Sequence, residues 1–182
     1  MGDAAVHRLF VALRPDAGAA RQLVRISRSL REAGILGKHV VDPSRWHITL
    51  HFLGDFRGYP EELAGRLVDA SRRFSYRRFE ISLDLVSTFA KRKPPLVVLC
   101  PDTAQQVVRE FRRAYLEQVL APQGIVAERR FVPHLTLGYR QQPLPKPVPV
   151  GPLAWVVREF MLVNSHVGRA HHEVIGRWPL GA

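Results

Sequence analysis

Two short segments of the chain each place a histidine and a threonine two residues apart. His47 and Thr49 lie in WHITLHFLGD, and His134 and Thr136 lie in PHLTLGYR, with a leucine after the threonine in both. Because the 182 residues include only eight histidines and four threonines, chance would give this spacing far less than once. The duplicated H-x-T-L motif therefore indicates a functional arrangement.

The four side chains of these motifs suit acid–base chemistry on a phosphate. Residues two apart on a strand point to the same face, so each motif presents an imidazole and a hydroxyl together. Imidazole exchanges protons near neutral pH, and two of them can divide the roles of acid and base. A threonine hydroxyl donates to a phosphoryl oxygen in a direction restricted by β-branching. This chemistry suits a phosphodiester with a neighbouring hydroxyl and requires no metal.

A zinc site is the competing interpretation of the histidines. His47 and His51 lie four residues apart on one predicted strand face, and His171 and His172 are adjacent elsewhere. No cysteine or carboxylate completes a ligand set around them. We therefore interpret His51 as a supporting residue of the strand, and His171 and His172 as a surface pair.

The charge of the chain indicates a polyanionic partner. Twenty-seven Lys and Arg against sixteen Asp and Glu give a net charge of +11 and a pI near 10.9. Nucleic acid is the first candidate partner and an anionic membrane surface the second. Basic candidates for phosphate contacts lie at 71–78, 91–93 and 128–130, and the aromatic candidates for base stacking are Tyr76, Phe79 and Phe10.

The single cysteine and the hydropathy pattern bear on the compartment. Cys100 excludes an internal disulfide and fits a reducing environment, where a buried, unreactive thiol is expected. No apolar run reaches the length of a membrane span. We expect a cytoplasmic protein.

Strands outnumber helices along the chain, which predicts an α+β sandwich with helices on its outer faces. Strand patterns occur at 7–13, 46–53 and 79–89, in PPLVVLC, and within 124–140, 155–167 and 171–180. Helices are expected to begin near Asp16, Pro60 and Asp102, and the first is expected to stop at Gly34. The proline-rich segment 141–153 is predicted to be an exposed connection within a single domain spanning 1–182. Each half contains one long helix and one H-x-T-L strand, as if one unit had been duplicated.

The motifs and their surroundings resemble the two-histidine phosphoesterase superfamily. The stretches RLFVALRPD, WHITLHFLGD, PPLVVLCPD, RRFVPHLTLGYR and REFMLVNSHVG are similar to its LigT-like branch, the RNA 2′,3′-cyclic phosphodiesterases also called 2′-5′ RNA ligases. The likeness runs from about residue 8 to residue 180.

The resemblance implies a bilobal α+β fold, with two antiparallel β-sheets around a central cleft and lobes related by a pseudo-twofold axis. It implies hydrolysis of a 2′,3′-cyclic phosphate at an RNA end to a 2′-phosphate, with no cofactor. On the family pattern, His47 is the proton donor to the departing 3′-oxygen and His134 is the proton acceptor from water. Thr49 and Thr136 hold the phosphoryl oxygens, and the reverse reaction is 2′-5′ RNA ligation.

The chain departs from the family pattern after the second motif. Tyr139 stands where family members commonly have an arginine, and Arg140 follows one residue later. A shift of one residue on a strand turns a side chain to the opposite face, unless a bulge or the strand end restores its direction. Arg130 is the other candidate for the missing charge. The predicted substrate-binding residues are therefore Arg140, Arg130, Tyr139 and Phe10.

Two alternative functions remain open from the sequence. In the first, the chain is a non-catalytic RNA- or nucleotide-binding module. In the second, it is a phosphodiesterase for a small cyclic nucleotide, an ADP-ribose cyclic phosphate or 2′-5′ oligoadenylate. The expected partners are RNAs with 2′,3′-cyclic phosphate or 2′-phosphate ends, including tRNA fragments. We expect a monomer that binds neither metal nor membrane.

Overall fold

The computed structural model describes residues 6–89, 96–101, 105–126, 130–169 and 171–181. Within these ranges the strands are β1 (Val6–Leu13), β2 (His39–Val40), β3 (Ile48–Arg57), β4 (Phe79–Phe89), β5 (Leu96–Cys100), β6 (Leu135–Tyr139), β7 (Val148–Val157), β8 (Glu159–His166) and β9 (His171–Pro179). The α-helices are α1 (Ala17–Glu32), α2 (Glu61–Arg72) and α3 (Gln106–Tyr115). None of these helices is long and apolar enough to cross a membrane.

The strands form one antiparallel sheet with a symmetric order. The order is β7-β4-β5-β6-β3-β1-β8-β9, and β2 also pairs with β6. From the centre outward, β3-β1-β8-β9 in one half corresponds to β6-β5-β4-β7 in the other. The unit β1-α1-β3 likewise corresponds to β5-α3-β6. The predicted α+β class and pseudo-twofold relation are thus confirmed. The two expected sheets are joined into one, because Ile48 on β3 pairs with Leu135 on β6.

The leucine of each H-x-T-L motif is the extra residue of a β-bulge. On β3, Thr49 pairs with Ala12 and His51 pairs with Val11, so Leu50 has no partner in the β1 register. On β6, Thr136 pairs with Val98 and Gly138 with Val97, which leaves Leu137 as the extra residue. A bulge reverses the alternation of the residues that follow it. Both leucines are buried at 2% exposure or less, so the motif combines two polar residues with one core anchor.

The core lies between the sheet and the helices. α1 is capped by Asp16, whose carboxylate accepts from the N–H of Ala19, and it buries Leu23 and Leu30. Gly34, at φ +68°, follows the end of this helix in the left-handed region that glycine adopts most easily. The predicted helix at Asp16 and its stop are therefore confirmed.

Two aromatic residues predicted to stack on bases belong to this core instead. Phe79 is buried, and the ring of Tyr76 packs against Phe111 with centroids 5.1 Å apart. Both rings contact α3, whereas a ring that stacks on a base must be exposed. The opposite face of the sheet carries a smaller apolar cluster of Phe10, Ala12, Met161 and Val163, and we call this the inner face.

Two predicted boundaries are wrong. The segment 141–153 is a connection only as far as 147, because β7 begins at Val148 and continues to Val157. Its prolines are tolerated because β7 is an edge strand, where a missing N–H leaves no ladder position empty. β3 also continues through Gly54 and Asp55 to Arg57, because β1 pairs along that whole length. The predicted cap at Asp102 and the basic segment 91–93 lie outside the described residues.

Candidate active site

The two motifs meet at the centre of the sheet. β3 and β6 begin beside each other and run in opposite directions from the Ile48–Leu135 pair. Continuing that antiparallel register by one residue sets His47 beside Thr136 and Thr49 beside His134. The fold therefore brings the four predicted catalytic side chains, from two distant segments, to one place on the inner face.

Both motif histidines are held by the same local hydrogen bond. His47 Nδ1 lies 2.7 Å from the carbonyl oxygen of Arg45, and His134 Nδ1 lies 2.7 Å from that of Val132. A carbonyl oxygen can only accept, so Nδ1 carries the hydrogen in each ring. The reactive nitrogen is therefore Nε2, and in His47 it lies 3.1 Å from the hydroxyl of Thr49. The two halves orient their imidazoles in the same way.

A short turn sets the carbonyl to which His47 donates. The 3-10 turn Pro43–Arg45 is capped by Asp42, whose carboxylate accepts from the backbone N–H and the hydroxyl of Ser44. These hydrogen bonds hold the pKa of Asp42 below its usual range. The turn therefore fixes the backbone two residues before the histidine.

Each motif imidazole also packs against a phenylalanine. The ring of Phe10 stacks on His47 with centroids 4.7 Å apart and an interplanar angle of 27°. The ring of Phe89 meets His134 edge to face, also at 4.7 Å. Phe10 is only 4% exposed. Its predicted role as a base-stacking residue is therefore replaced by packing against the His47 ring.

His172 belongs to the site, contrary to its interpretation as a surface residue. Its ring lies 5.3 Å from that of His47 and 5.5 Å from that of Phe10. Its Nε2 accepts a long hydrogen bond of 3.4 Å from Arg45 Nε. The alternation of HHEVIGRWP, which puts His172 on the same face as the apolar Val174, was the available signal. This signal places His172 near His47 only once it is known that β9 lies two strands from β1 in the sheet.

The site suppresses protonation of the imidazoles around His47. Burial, the bond to the Arg45 carbonyl that opposes it, and the electrostatic effects of Arg14, His134 and Arg45 together lower the pKa of His47 to about 4. Burial, followed by the electrostatic effects of His47, Arg45 and Arg14, likewise lowers the pKa of His172 to about 3. His134 thus lies near enough to His47 to act on it electrostatically. At neutral pH His47 is uncharged in the unliganded protein.

The predicted arginines do not join the histidines. Arg140 lies four residues beyond Thr136, and its Nη1 donates to the carbonyl of Ile35 at 3.0 Å. The bulge at Leu137 turns Tyr139, not Arg140, to the side of the sheet that Thr136 occupies. Arg130 lies in an exposed coil before β6.

The β3 bulge separates the two histidines, His47 and His51, on which the zinc interpretation depends. His51 pairs with Val11, a core residue, and is 4% exposed. The bulge at Leu50 thus places His51 on the helix side of the sheet and His47 on the inner face. Among the residues that the structure describes, no group of three or more histidine, cysteine or carboxylate side chains is arranged to hold a metal ion.

Known proteins share this arrangement of sequence and fold. The LigT-like phosphoesterase family matches residues 13–99. An RNA 2′,3′-cyclic phosphodiesterase of Methanothermobacter thermautotrophicus is 30% identical over 132 residues, which cover 72% of this chain and 70% of that protein. The crystal structure of E. coli LigT in its apo form matches with a TM-score of 0.76 at 23% identity, over 98% of this chain and 99% of that one. Its complex with 3′-AMP matches with a TM-score of 0.74 at 23% identity and the same coverage.

The structural likeness confirms the fold, and the sequence likeness confirms the resemblance carried by the two motifs. The chain belongs to the LigT-like phosphoesterase family.

Proposed function

We propose that the chain hydrolyses the 2′,3′-cyclic phosphate at an RNA end to a 2′-phosphate. The observation that carries the proposal is the matched pair of imidazoles, each fixed through Nδ1 and carried by strands that pair with each other at Ile48 and Leu135. The relative named RNA 2′,3′-cyclic phosphodiesterase supports the substrate class. The binding of 3′-AMP by E. coli LigT supports a nucleotide at this site.

The reaction divides two proton transfers between the histidines. His134 Nε2 takes a proton from water as the water oxygen attacks phosphorus. The bond from phosphorus to the 3′-oxygen breaks, and His47 Nε2–H gives that oxygen its proton. Thr49 and Thr136 donate to the phosphoryl oxygens as negative charge develops on them. When an RNA hydroxyl replaces the attacking water, the same groups in the same roles join the cyclic phosphate end to that hydroxyl, which is the ligation reaction.

The low pKa of His47 makes substrate binding part of its activation. An acid must carry a proton before it can donate one, and His47 is neutral above a pH of about 4 in the unliganded protein. A phosphate anion beside the ring favours the imidazolium and raises its pKa. Binding of the cyclic phosphate therefore promotes protonation of His47, so that it can act as the acid. In the pH profiles, the ionisation of His47 lies at higher pH in kcat, which reports the substrate complex, than in kcat/KM, which reports the free enzyme.

Arg14 and Arg45 provide the positive charge expected of Arg140. Both act electrostatically on His47. Arg14 Nε is buried and has no hydrogen-bond partner among the described residues, so it retains an unused donor. Burial lowers the pKa of Arg14 from its ordinary value, which shows that its charge lies in a poorly solvated place. There a phosphate gains more from the guanidinium than it would in water.

The proposal is tested with an oligoribonucleotide ending in a 2′,3′-cyclic phosphate, assayed with and without EDTA. His47→Ala and His134→Ala each lower the rate about 10²-fold or more if that ring is the acid or the base. His171→Ala, an exposed histidine beside His172, serves as the control and retains the rate. Unchanged rates in the two motif variants contradict the proposal, and complete inhibition by EDTA supports metal chemistry instead.

The same assay separates the other functions. Salt-dependent RNA binding by the wild type without turnover of any cyclic phosphate identifies a binding module. Turnover of small cyclic nucleotides or 2′-5′ oligoadenylate, but not of RNA ends, identifies a small-molecule phosphodiesterase.

A further inference from the structure

A second cationic site lies at the far end of β6 from His134. A cavity of about 600 Å³ is lined by the turn after α1, which contributes Lys38 and His39, and by the end of β6, which contributes Tyr139 and Arg140. Its volume is within the range that small-molecule ligands occupy. Lys38 and Arg140 are basic, and no acidic residue is among its described lining residues. Such a wall attracts an anion.

The walls of the cavity are held in place. β2 pairs with β6 through His39 and Tyr139. Gly37 lies so close to this strand that a Cβ there would be 2.6 Å from the Tyr139 carbonyl oxygen. Arg140 Nη1 is anchored to the carbonyl of Ile35. A site that is formed before its ligand arrives loses less entropy on binding.

Arg140 lines this cavity with a guanidinium that the described residues do not fully use. Its Nε is buried and has no hydrogen-bond partner among the described residues, which is uncommon and costly. Tyr139 also supplies an aromatic residue to the wall, which offers a stacking surface for a base.

The position of the cavity relates it to the proposed active site. Tyr139 follows Thr136 by three residues, a separation of about 10 Å along a strand. That span suits the nucleotide next to the one whose phosphate Thr136 holds. Tyr139 also lies near Arg8 of the other half. The hydrogen bond to Asp55 is the main cause that raises the pKa of Arg8, and the Tyr139 phenol raises it more weakly. Tyr139 therefore belongs both to the inner face and to the cavity wall.

We propose that this cavity binds the phosphate and base of the nucleotide on the 5′ side of the cyclic end, with Lys38 and Arg140 holding the phosphate. The inference rests on the proposed function, because it specifies an oligoribonucleotide rather than a mononucleotide as the preferred substrate. The histidines and threonines of the two motifs do not line the cavity, so a mononucleotide is processed without it.

The test compares two substrates and two charge reversals. The substrates are cytidine 2′,3′-cyclic monophosphate and a trinucleotide with a 2′,3′-cyclic end. The preference is the kcat/KM of the trinucleotide divided by that of the mononucleotide. Lys38→Glu lowers this preference about tenfold, because an attraction to phosphate becomes a repulsion. Lys146→Glu, the same charge change at an exposed lysine outside the cavity, leaves it unchanged. Equal preferences in Lys38→Glu and the wild type overturn the subsite.

Binding of the reaction product gives a second readout that does not require turnover. A trinucleotide ending in a 2′-phosphate is titrated at several salt concentrations by fluorescence anisotropy. Lys38→Ala reduces the slope of log K against log salt by about 0.7, the value for one phosphate contact on a single strand. An unchanged slope overturns the subsite. If the wild type turns over neither cyclic substrate but shows the Lys38-dependent slope, the proposed function fails and the subsite stands.

Discussion

Acid should destabilise this protein through His47 in particular. The ordinary histidine pKa of 6.5 applies to the unfolded chain, whereas burial lowers the pKa of the folded ring to about 4. Between these values the unfolded chain binds a proton at this position and the folded protein does not. Low pH therefore favours unfolding. The contribution of neutral His47 to the free energy of unfolding is complete above pH 6.5 and is lost as the pH falls to about 4.

The size of the effect follows from the two pKa values. A difference of about 2.5 units corresponds to about 3 kcal/mol when the transition is complete. Between pH 7.5 and pH 4.5 the expected loss from this one ring is about 2.5 kcal/mol. Other groups titrate in the same interval, so the informative quantity is the difference between the wild type and a variant without the ring.

Urea unfolding of the wild type and His47→Gln at pH 7.5 and 4.5 measures that quantity. The free energy of unfolding should fall by about 2.5 kcal/mol more in the wild type than in the variant. His171→Gln, the exposed control, should fall as much as the wild type does. An equal fall in the wild type and His47→Gln would show that the ring is not desolvated and would refute the reasoning.

Two further substitutions test how the sheet supports the site. Arg112→Met removes a buried donor that bonds the carbonyl at the β3 bulge at 2.7 Å, and should lower the free energy of unfolding in urea by about 2 kcal/mol, with the exposed Arg113→Met as the neutral control. Phe10→Ala uncovers one face of His47, and should raise the pKa of that ring toward 6.5 in an NMR titration, whereas removal of the exposed ring in Phe52→Ala should not. An unchanged free energy of unfolding in Arg112→Met, or an unchanged His47 pKa in Phe10→Ala, would contradict these assignments.

The sequence predicted the local features of the site, because local features leave local signals. The spacing within each motif revealed two strands with polar pairs, and its repetition linked them to one reaction. Asp16 and Gly34 marked the limits of a helix by capping chemistry that depends only on near neighbours.

Features set by distant strands were not predicted. Leu50 and Leu137 look like ordinary core residues, and only the register of β1 and β5 shows that each forms a bulge. That register decides the face of Tyr139 and Arg140, so the direction of the arginine was indeterminate from the motif. His172 was missed for the same reason, since its approach to His47 depends on the order of four strands.

The central claim is that the two motif histidines act on one phosphate. Its most direct test is a histidine-resolved NMR titration with a 2′-mononucleotide, observing the Nε2 signals of His47 and His134. Both signals should move together with one dissociation constant, and the pKa of His47 should rise above about 4 in the bound state. Movement of one ring alone, or two different dissociation constants, would contradict it.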